Sequence, residues 1–109
     1  MKKMIFEAEL KVLEVLWNDG DTTARDLAIK LNDLTSWSTT TTYTVIKRCI
    51  EKGLIERTGK NFMCHVNITR EEARKRETGI LIDKMFNGSV DLLLELLTNE
   101  DNVSEADIA

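Results

Sequence analysis

The chain has 109 residues, of which 42% are hydrophobic, and it carries a formal net charge of −4. This length suits one compact domain, or a small domain with a short appendage, and excludes a second full hydrophobic core. No apolar run approaches the ~20 residues that a membrane-spanning helix needs, and the first residues lack the apolar segment of a signal peptide. We therefore expect a cytoplasmic protein without a membrane partner.

The sequence offers few of the residue arrangements that catalysis or metal binding requires. It has one histidine, His65, and two cysteines, Cys49 and Cys64, which lack CxxC spacing. It has no Gly-rich phosphate loop and no Ser/His/Asp order. We expect no enzyme activity, no metal and no cofactor, and we interpret the cysteines as core residues in a reducing compartment. The alternative, a disulfide or metal role, is favoured only by the position of His65 beside Cys64.

The negative charge is concentrated in the C-terminal part of the chain. Residues 1–70 hold 11 Lys and Arg against 9 Asp and Glu, whereas residues 71–109 hold 4 against 10. Between residues 36 and 62 there are five cations and two anions. This segment is a modest basic patch, so the overall charge does not argue against a nucleic-acid partner.

The first 32 residues predict two short helices. Apolar residues at spacings of three and four indicate a helix from Glu7 to Asn18, which Gly20 ends. Thr23 and Asp26 form a short relative of the capping box and begin a second helix that ends near Asn32. With the helix that follows, this order is typical of a helix-turn-helix.

The sequence from Ser38 to Gly53 predicts a third helix with two different faces. Ser38 is a good N-cap, Gly53 is a good stop, and apolar or small residues recur at positions 42, 45, 46, 49 and 50. The opposite face carries Thr40, Thr41, Thr44, Lys47, Arg48 and Glu51. Hydroxyls and free N–H groups at a helix N-terminus suit phosphate and base edges, and cations one turn later suit phosphate or guanine. We predict a DNA recognition helix; the alternative is a capped amphipathic helix with a solvated outer face.

Two short strand-like runs, Leu54–Thr58 and Asn61–Val66, are joined through Gly59-Lys60 and predict a β-hairpin. Three helices followed by a hairpin form the winged-helix arrangement, in which the hairpin tip can touch the DNA backbone. Arg57 and Lys60 are placed for that contact, unless the tip is merely solvated. The candidate DNA-binding residues of the helix and the wing are Ser38, Thr39, Thr40, Thr41, Tyr43, Thr44, Lys47, Arg48, Arg57 and Lys60.

The C-terminal region predicts two more helices. Thr69 and Glu72 form a capping box for a helix that runs to about Phe86, and residues 90–97 form the next. Together they carry more apolar surface than a short appendage can bury alone, so we predict homodimerisation through residues 78–97. The alternative is that both helices fold back on the N-terminal core. The candidate interface residues are Leu81, Ile82, Met85, Phe86, Val90, Leu93, Leu94 and Leu97.

We therefore predict a mostly α fold with a small β-hairpin. A winged helix-turn-helix DNA-binding domain occupies residues 1–68, and a helical dimerisation region occupies residues 69–109. The last acidic residues contain a candidate helix cap at Ser104.

Several short sequence motifs follow one another along nearly the whole chain. They are Glu7-Ala8-Glu9 with Val12 and Trp17; Gly20 with Thr23-Ala24; Trp37-Ser38 with Thr41, Thr44, Arg48 and Lys52-Gly53; Gly59-Lys60 with Phe62; and Phe86-Asn87-Gly88-Ser89. In order and spacing these motifs resemble the penicillinase-repressor family, the dimeric winged-helix regulators of β-lactamase and methicillin-resistance genes. The resemblance implies a homodimeric repressor that binds an inverted repeat in double-stranded DNA. By position, Thr41, Thr44 and Arg48 match the family's recognition helix, and Lys60 matches its wing tip.

The sequence departs from this family where the family receives its signals. In the β-lactam-responsive members, a signalling protease is the further partner, and release follows cleavage of an Asn-Phe bond; this sequence has Leu96-Leu97 there. The copper-responsive relatives use paired C-terminal cysteines, and no cysteine follows Cys64. Thr39 stands where the family has a proline.

One hypothesis from a different class stays open. A winged helix also serves protein-protein contacts without DNA binding, and the acidic C-terminal region favours such an interaction module.

Overall fold

The computed structural model describes residues 4–99. They form a mostly helical fold with a small antiparallel sheet, as the sequence predicts. In chain order the elements are α1 (Glu7–Asp19), β1 (Thr22–Thr23), α2 (Ala24–Thr35), α3 (Thr39–Glu51), β2 (Ile55–Thr58), β3 (Met63–Val66), α4 (Arg70–Phe86) and α5 (Val90–Thr98). The candidate cap at Ser104 lies outside the described residues.

The helix ends follow the local chemistry of the sequence, with one difference. Gly20 ends α1 at a φ of 80° and a ψ of −165°, a backbone region that essentially only glycine adopts without strain. The prediction that α2 ends near Asn32 is wrong, because α2 continues to Thr35. Ser36 ends it in a left-handed conformation, and its N–H donates to the Asn32 carbonyl at 2.9 Å. The residues between Asn32 and Ser36 include no glycine or proline, so nothing in the sequence stops the helix earlier.

The sheet has the strand order β1-β3-β2, with both pairs antiparallel. The predicted hairpin is confirmed, but its strands are shorter than the two apolar runs, and residues 59–62 form the turn. The strand β1 was not predicted. It pairs Thr22 with Cys64 and Thr23 with Met63. This pairing fastens the start of α2 to the central strand of the wing.

The core lies among α1, α2, α3 and the sheet. Each fully buried Leu or Ile side chain there contributes roughly 1.5–3 kcal/mol relative to an exposed one. The buried cluster consists of Val12, Leu13, Val15, Leu16, Ala24, Leu27, Leu31, Val45, Ile46, Cys49, Leu54, Ile55 and Cys64. Val45, Ile46 and Cys49 of this cluster lie on the face of α3 that its periodicity assigns to the core; Thr42 of the same face is also fully buried, and Ile50 packs against the cluster.

The chain divides into two compact units, Met1–Ala73 and Arg74–Ala109. The division falls one turn into α4, whereas the sequence placed the domain boundary after residue 68. Thr69 and Glu72 form the predicted capping box: the Glu72 N–H donates to Thr69 Oγ1 at 3.0 Å, and the Thr69 N–H donates to Glu72 Oε1 at 3.2 Å. Within residues 4–99, every helix is too short or too polar to span a membrane.

Both cysteines are free and buried. Burial raises the pKa of the Cys49 thiol to about 12, and the nearby Glu9 carboxylate adds to this increase. Burial also raises the pKa of Cys64, to about 11. His65, the neighbour of Cys64, lies with its Nδ1 atom 2.8 Å from Asp21 Oδ1. The cysteines thus occupy core positions, as the sequence predicts.

We predict that the native thiols react slowly with a disulfide reagent at pH 8. The thiolate is the reactive form, and burial disfavours it in the folded state. Because the folded pKa values lie above the ordinary thiol pKa of 9.0, the thiols' contribution to stability is complete below that pH and is lost as the pH rises through the folded values. The measurement is the rate at which the two thiols react with the reagent, with and without denaturant. A rapid reaction in the native protein would contradict the burial of Cys49 and Cys64.

Candidate nucleic-acid interface

The N-terminus of α3 is a capped and exposed group of hydroxyls. Ser38 is the N-cap, and its Oγ atom accepts the Thr41 N–H at 3.1 Å. The Ser38 hydroxyl also lies 3.0 Å from the Thr41 hydroxyl. The cap satisfies the N–H of Thr41, and helix geometry directs those of Thr39 and Thr40 out of the N-terminus. This end of α3 therefore presents donors suited to phosphate oxygens and base edges.

Most of the candidate DNA-binding residues are exposed. Thr42 is fully buried on the inner face of α3, which keeps the neighbouring threonines on the outside. Thr44 is exposed one turn after Thr40 and donates its hydroxyl to the Thr40 carbonyl at 2.9 Å, so its hydroxyl oxygen can still accept a hydrogen bond. The exposed candidates are Ser38, Thr39, Thr40, Thr41, Thr44, Lys47, Arg57 and Lys60.

Arg48 is the candidate whose placement differs most from the prediction. The sequence places it on the solvated face of α3, but its side chain is only 42% exposed. Its Nε atom lies 3.7 Å from Oε2 of Glu9, a residue of α1 that is fully buried. Lys52 pairs with the same carboxylate, at 2.6 Å from Oε1. One edge of the Arg48 guanidinium therefore faces inward.

Tyr43 and the wing are connected through Phe62. The Tyr43 and Phe62 rings meet edge to face, with centroids 5.9 Å apart. The Arg57 guanidinium lies 4.1 Å from the Phe62 ring centroid. Phe62 has a φ of 52°, and its carbonyl accepts the Ala24 N–H at 2.9 Å. The wing is therefore held against both α2 and α3, and Arg57 is oriented by an aromatic face.

Two residues of this region were missed by sequence reasoning. Arg25 is an exposed cation in the first turn of α2 and lines an open groove together with Thr39 and Tyr43. Its position could have indicated this, because Arg25 begins α2, the first helix of the helix-turn-helix, and that helix crosses the DNA backbone. The other residue is Glu9. The spacing could have indicated this, because Glu9 precedes Val12 by three residues and Leu13 by four and therefore lies on the buried face of α1.

Three helices and a β-hairpin wing, with a capped polar helix beside wing cations, define a winged-helix DNA-binding protein. The family model "Penicillinase repressor" matches residues 5–109. The chain belongs to the penicillinase repressor family. This is a family of transcriptional repressors and not of enzymes, in agreement with the expectation from the sequence.

Individual relatives agree with this assignment. The penicillinase repressor of Bacillus licheniformis is 25% identical over 112 residues, which span 99% of this chain and 88% of that protein. An uncharacterised 16.5 kDa protein of Latilactobacillus sakei is 26% identical over 106 residues, spanning 95% and 73%. The solution structure of monomeric Bacillus licheniformis BlaI in complex with the blaP half-operator matches with a TM-score of 0.56 and 27% identity. It covers 66% of this chain and 90% of that chain.

We predict that Ser38→Ala lowers the free energy of unfolding by about 1 kcal/mol, because the Thr41 N–H loses its cap. Urea denaturation followed by circular dichroism measures this change. Thr40→Ala is the matched control, since it removes an exposed hydroxyl of the same helix turn and leaves the cap intact. Equal stability of the Ser38 variant and the wild-type protein would contradict the capping geometry.

Proposed function

We propose that this protein represses transcription as a homodimer that binds an inverted-repeat operator in double-stranded DNA, acting in the cytoplasm. The observation that carries this proposal is the exposed, capped N-terminus of α3 beside the cations of the wing. The BlaI structure supports it, because that protein binds a half-operator as a monomer. By analogy, one winged-helix unit of this chain would occupy each half-site.

The residues of α3 would divide between two kinds of contact. Thr41, Thr44 and Arg48 match the family's recognition helix by position, and we assign them to base edges in the major groove. Lys47 is exposed on the same helix and suits a phosphate oxygen. The free N–H groups of Thr39 and Thr40 suit a second phosphate at the helix N-terminus.

The wing and the start of α2 would bind the DNA backbone on either side of α3. Arg57 is stacked on Phe62, so its guanidinium loses little freedom when it binds a phosphate. Lys60 is exposed in the turn of the wing, and Arg25 is exposed beside the N-terminus of α3. These three cations would supply affinity and register rather than sequence preference.

Dimerisation would act through the apolar surface of α4 and α5. No side chain of α5 is buried in the single chain. The exposed apolar residues include Leu81 at 48%, Met85 at 64%, Val90 at 53%, Leu94 at 51% and Leu97 at 40%. A second copy is the occupant we propose, because a two-fold interface buries the same patch on both chains. The partly buried Ile82, Phe86 and Leu93 complete the proposed interface.

Two linked half-site contacts would then block a promoter. One small module binds weakly, whereas linking two modules makes the second contact effectively intramolecular. The two recognition helices would lie about 34 Å apart, one turn of DNA, on one face of the promoter. Loss of the dimer would release the operator. A signalling protease stays a prediction of the family resemblance, since Leu96-Leu97 replace the cleaved pair.

The contacts of α3 and the wing can be separated with Arg48→Ala and Lys60→Ala. We predict that Arg48→Ala weakens operator binding by about 1–3 kcal/mol and relaxes base preference. Lys60→Ala should weaken binding to all sequences similarly and reduce the salt dependence, because it removes a phosphate contact. Titration of operator and scrambled duplexes at two salt concentrations measures both effects. If Arg48→Ala lowers the affinity for both duplexes equally, Arg48 does not recognise a base.

The dimer interface is tested by Leu94→Glu, which places a charge on the exposed apolar surface of α5. We predict monomers in sedimentation equilibrium, because the charge would have to be buried without a partner. Glu95→Lys is the matched control: it changes the charge of the same helix and preserves its apolar surface. A Leu94→Glu protein that stays dimeric would show that the dimer interface lies elsewhere.

A further inference from the structure

A buried carboxylate lies beneath the C-terminal half of α3. Glu9 belongs to α1 and is fully buried, which is rare for a carboxylate unless it is paired. Its Oε1 atom accepts the Phe6 N–H at 2.9 Å and lies 2.6 Å from Lys52 Nζ. Lys52 also donates to the Met4 carbonyl at 2.8 Å and lies 3.8 Å from the Phe6 ring centroid. One oxygen of Glu9 is therefore fully engaged at the end of α3.

The second oxygen of Glu9 faces Arg48. Oε2 of Glu9 and Nε of Arg48 are 3.7 Å apart, and both atoms are buried without a hydrogen-bond partner among the described residues. An opposite charge at this distance attracts strongly where water is excluded. Because Nε is buried while the side chain is 42% exposed, the exposed surface of Arg48 belongs to its other atoms. A planar guanidinium held along its Nε edge has little freedom left at its two terminal amines.

We propose that Glu9 is a positioning residue for operator recognition. Lys52 anchors its carboxylate, and the carboxylate holds the Nε edge of Arg48 so that the two terminal amines are presented to a guanine edge. This role rests on the proposed function, in which Arg48 reads a base. The gain is pre-organisation: less side-chain freedom is lost on binding, and a misaligned base cannot be accommodated by a different rotamer.

A purely structural role for Glu9 gives a different expectation. In that case the Glu9–Lys52 pair would only join α1 to the end of α3, and its loss would lower stability without changing base preference. The two roles are separated by the ratio of affinities for two duplexes. One is the duplex that this chain selects from a randomised pool, and the other has the most strongly selected G·C pair of each half-site replaced.

The test uses the double variant Glu9→Leu/Lys52→Met in the full chain. Removing Glu9 alone would leave the largely buried Lys52 unpaired, so both are replaced by apolar residues of similar volume, and the 42% exposed Arg48 side chain can turn its guanidinium to water. We predict that this variant discriminates between the duplexes about tenfold less than the wild-type protein, as Arg48→Ala does. Adding Arg48→Ala to the double variant should cause no further loss, because both changes remove the same interaction. Lys30→Met, which breaks the surface pair with Asp19, is the control and should discriminate like the wild-type protein.

Each other outcome overturns a defined step. If the double variant discriminates normally while Arg48→Ala does not, Glu9 has no positioning role and the base contact of Arg48 stands. If Arg48→Ala also discriminates normally, the base contact fails, and the role of Glu9 fails with it.

A second measurement needs neither DNA nor a folded variant. In the wild-type protein, the Arg48 Nε–H signal in a ¹⁵N NMR spectrum should exchange slowly with water, because this group is buried beside Glu9. The exposed Arg25 and Arg57 provide the comparison and should exchange rapidly. Exchange of Arg48 as fast as that of these two residues would overturn the proposal.

Discussion

The burial of one face of α3 is the constraint on which the rest of the structure depends. Thr42, Val45, Ile46 and Cys49 lie against α1, α2 and the sheet, and together they fix the rotation of α3 about its own axis. Since the helical repeat is 3.6 residues, this rotation determines which side chains remain outside. The threonines at the N-terminus and Lys47 are outside for this reason. The surface available to DNA is thus a consequence of core packing.

The supporting elements then limit how α3 can move. At its N-terminal end, Ser38 caps the helix and Tyr43 packs against Phe62 of the wing turn. At its C-terminal end, Lys52 and Arg48 pair with the buried carboxylate of Glu9. Both ends are therefore fixed by contacts from other parts of the chain. Such rigidity suits a helix that must present several groups to DNA at once.

Local chemistry made most elements predictable from the sequence. The Ser38 cap, the stop at Gly20, the capping box of Thr69 and Glu72, and the periodicity of α3 each depend on residues close in sequence. The strand β1 could not be found, because two residues are too few to show an alternating pattern. The end of α2 lies beyond the predicted Asn32, because residues 33–35 include no glycine or proline and continue the helix.

Contacts between residues that are far apart in the sequence were the part of the site that could not be predicted. Arg48 lay on the polar face by periodicity, and only the fold brings Glu9 within 3.7 Å of it. Phe62 was visible as a mark of the family resemblance, but its place between Tyr43 and Arg57 depends on how the wing packs. The apolar pattern of α5 indicated a helix that needs a partner. The pattern does not specify the partner, because the same leucines suit any apolar surface.

The central claim, a dimeric repressor that reads an inverted repeat, is tested most directly by selecting bound sequences from a randomised DNA pool with the purified protein. Our account predicts a two-fold-symmetric site whose half-sites lie about one helical turn, ~10 base pairs, apart. Recovery of no preferred sequence by a folded, dimeric protein would contradict the account and favour a winged-helix module for protein contacts.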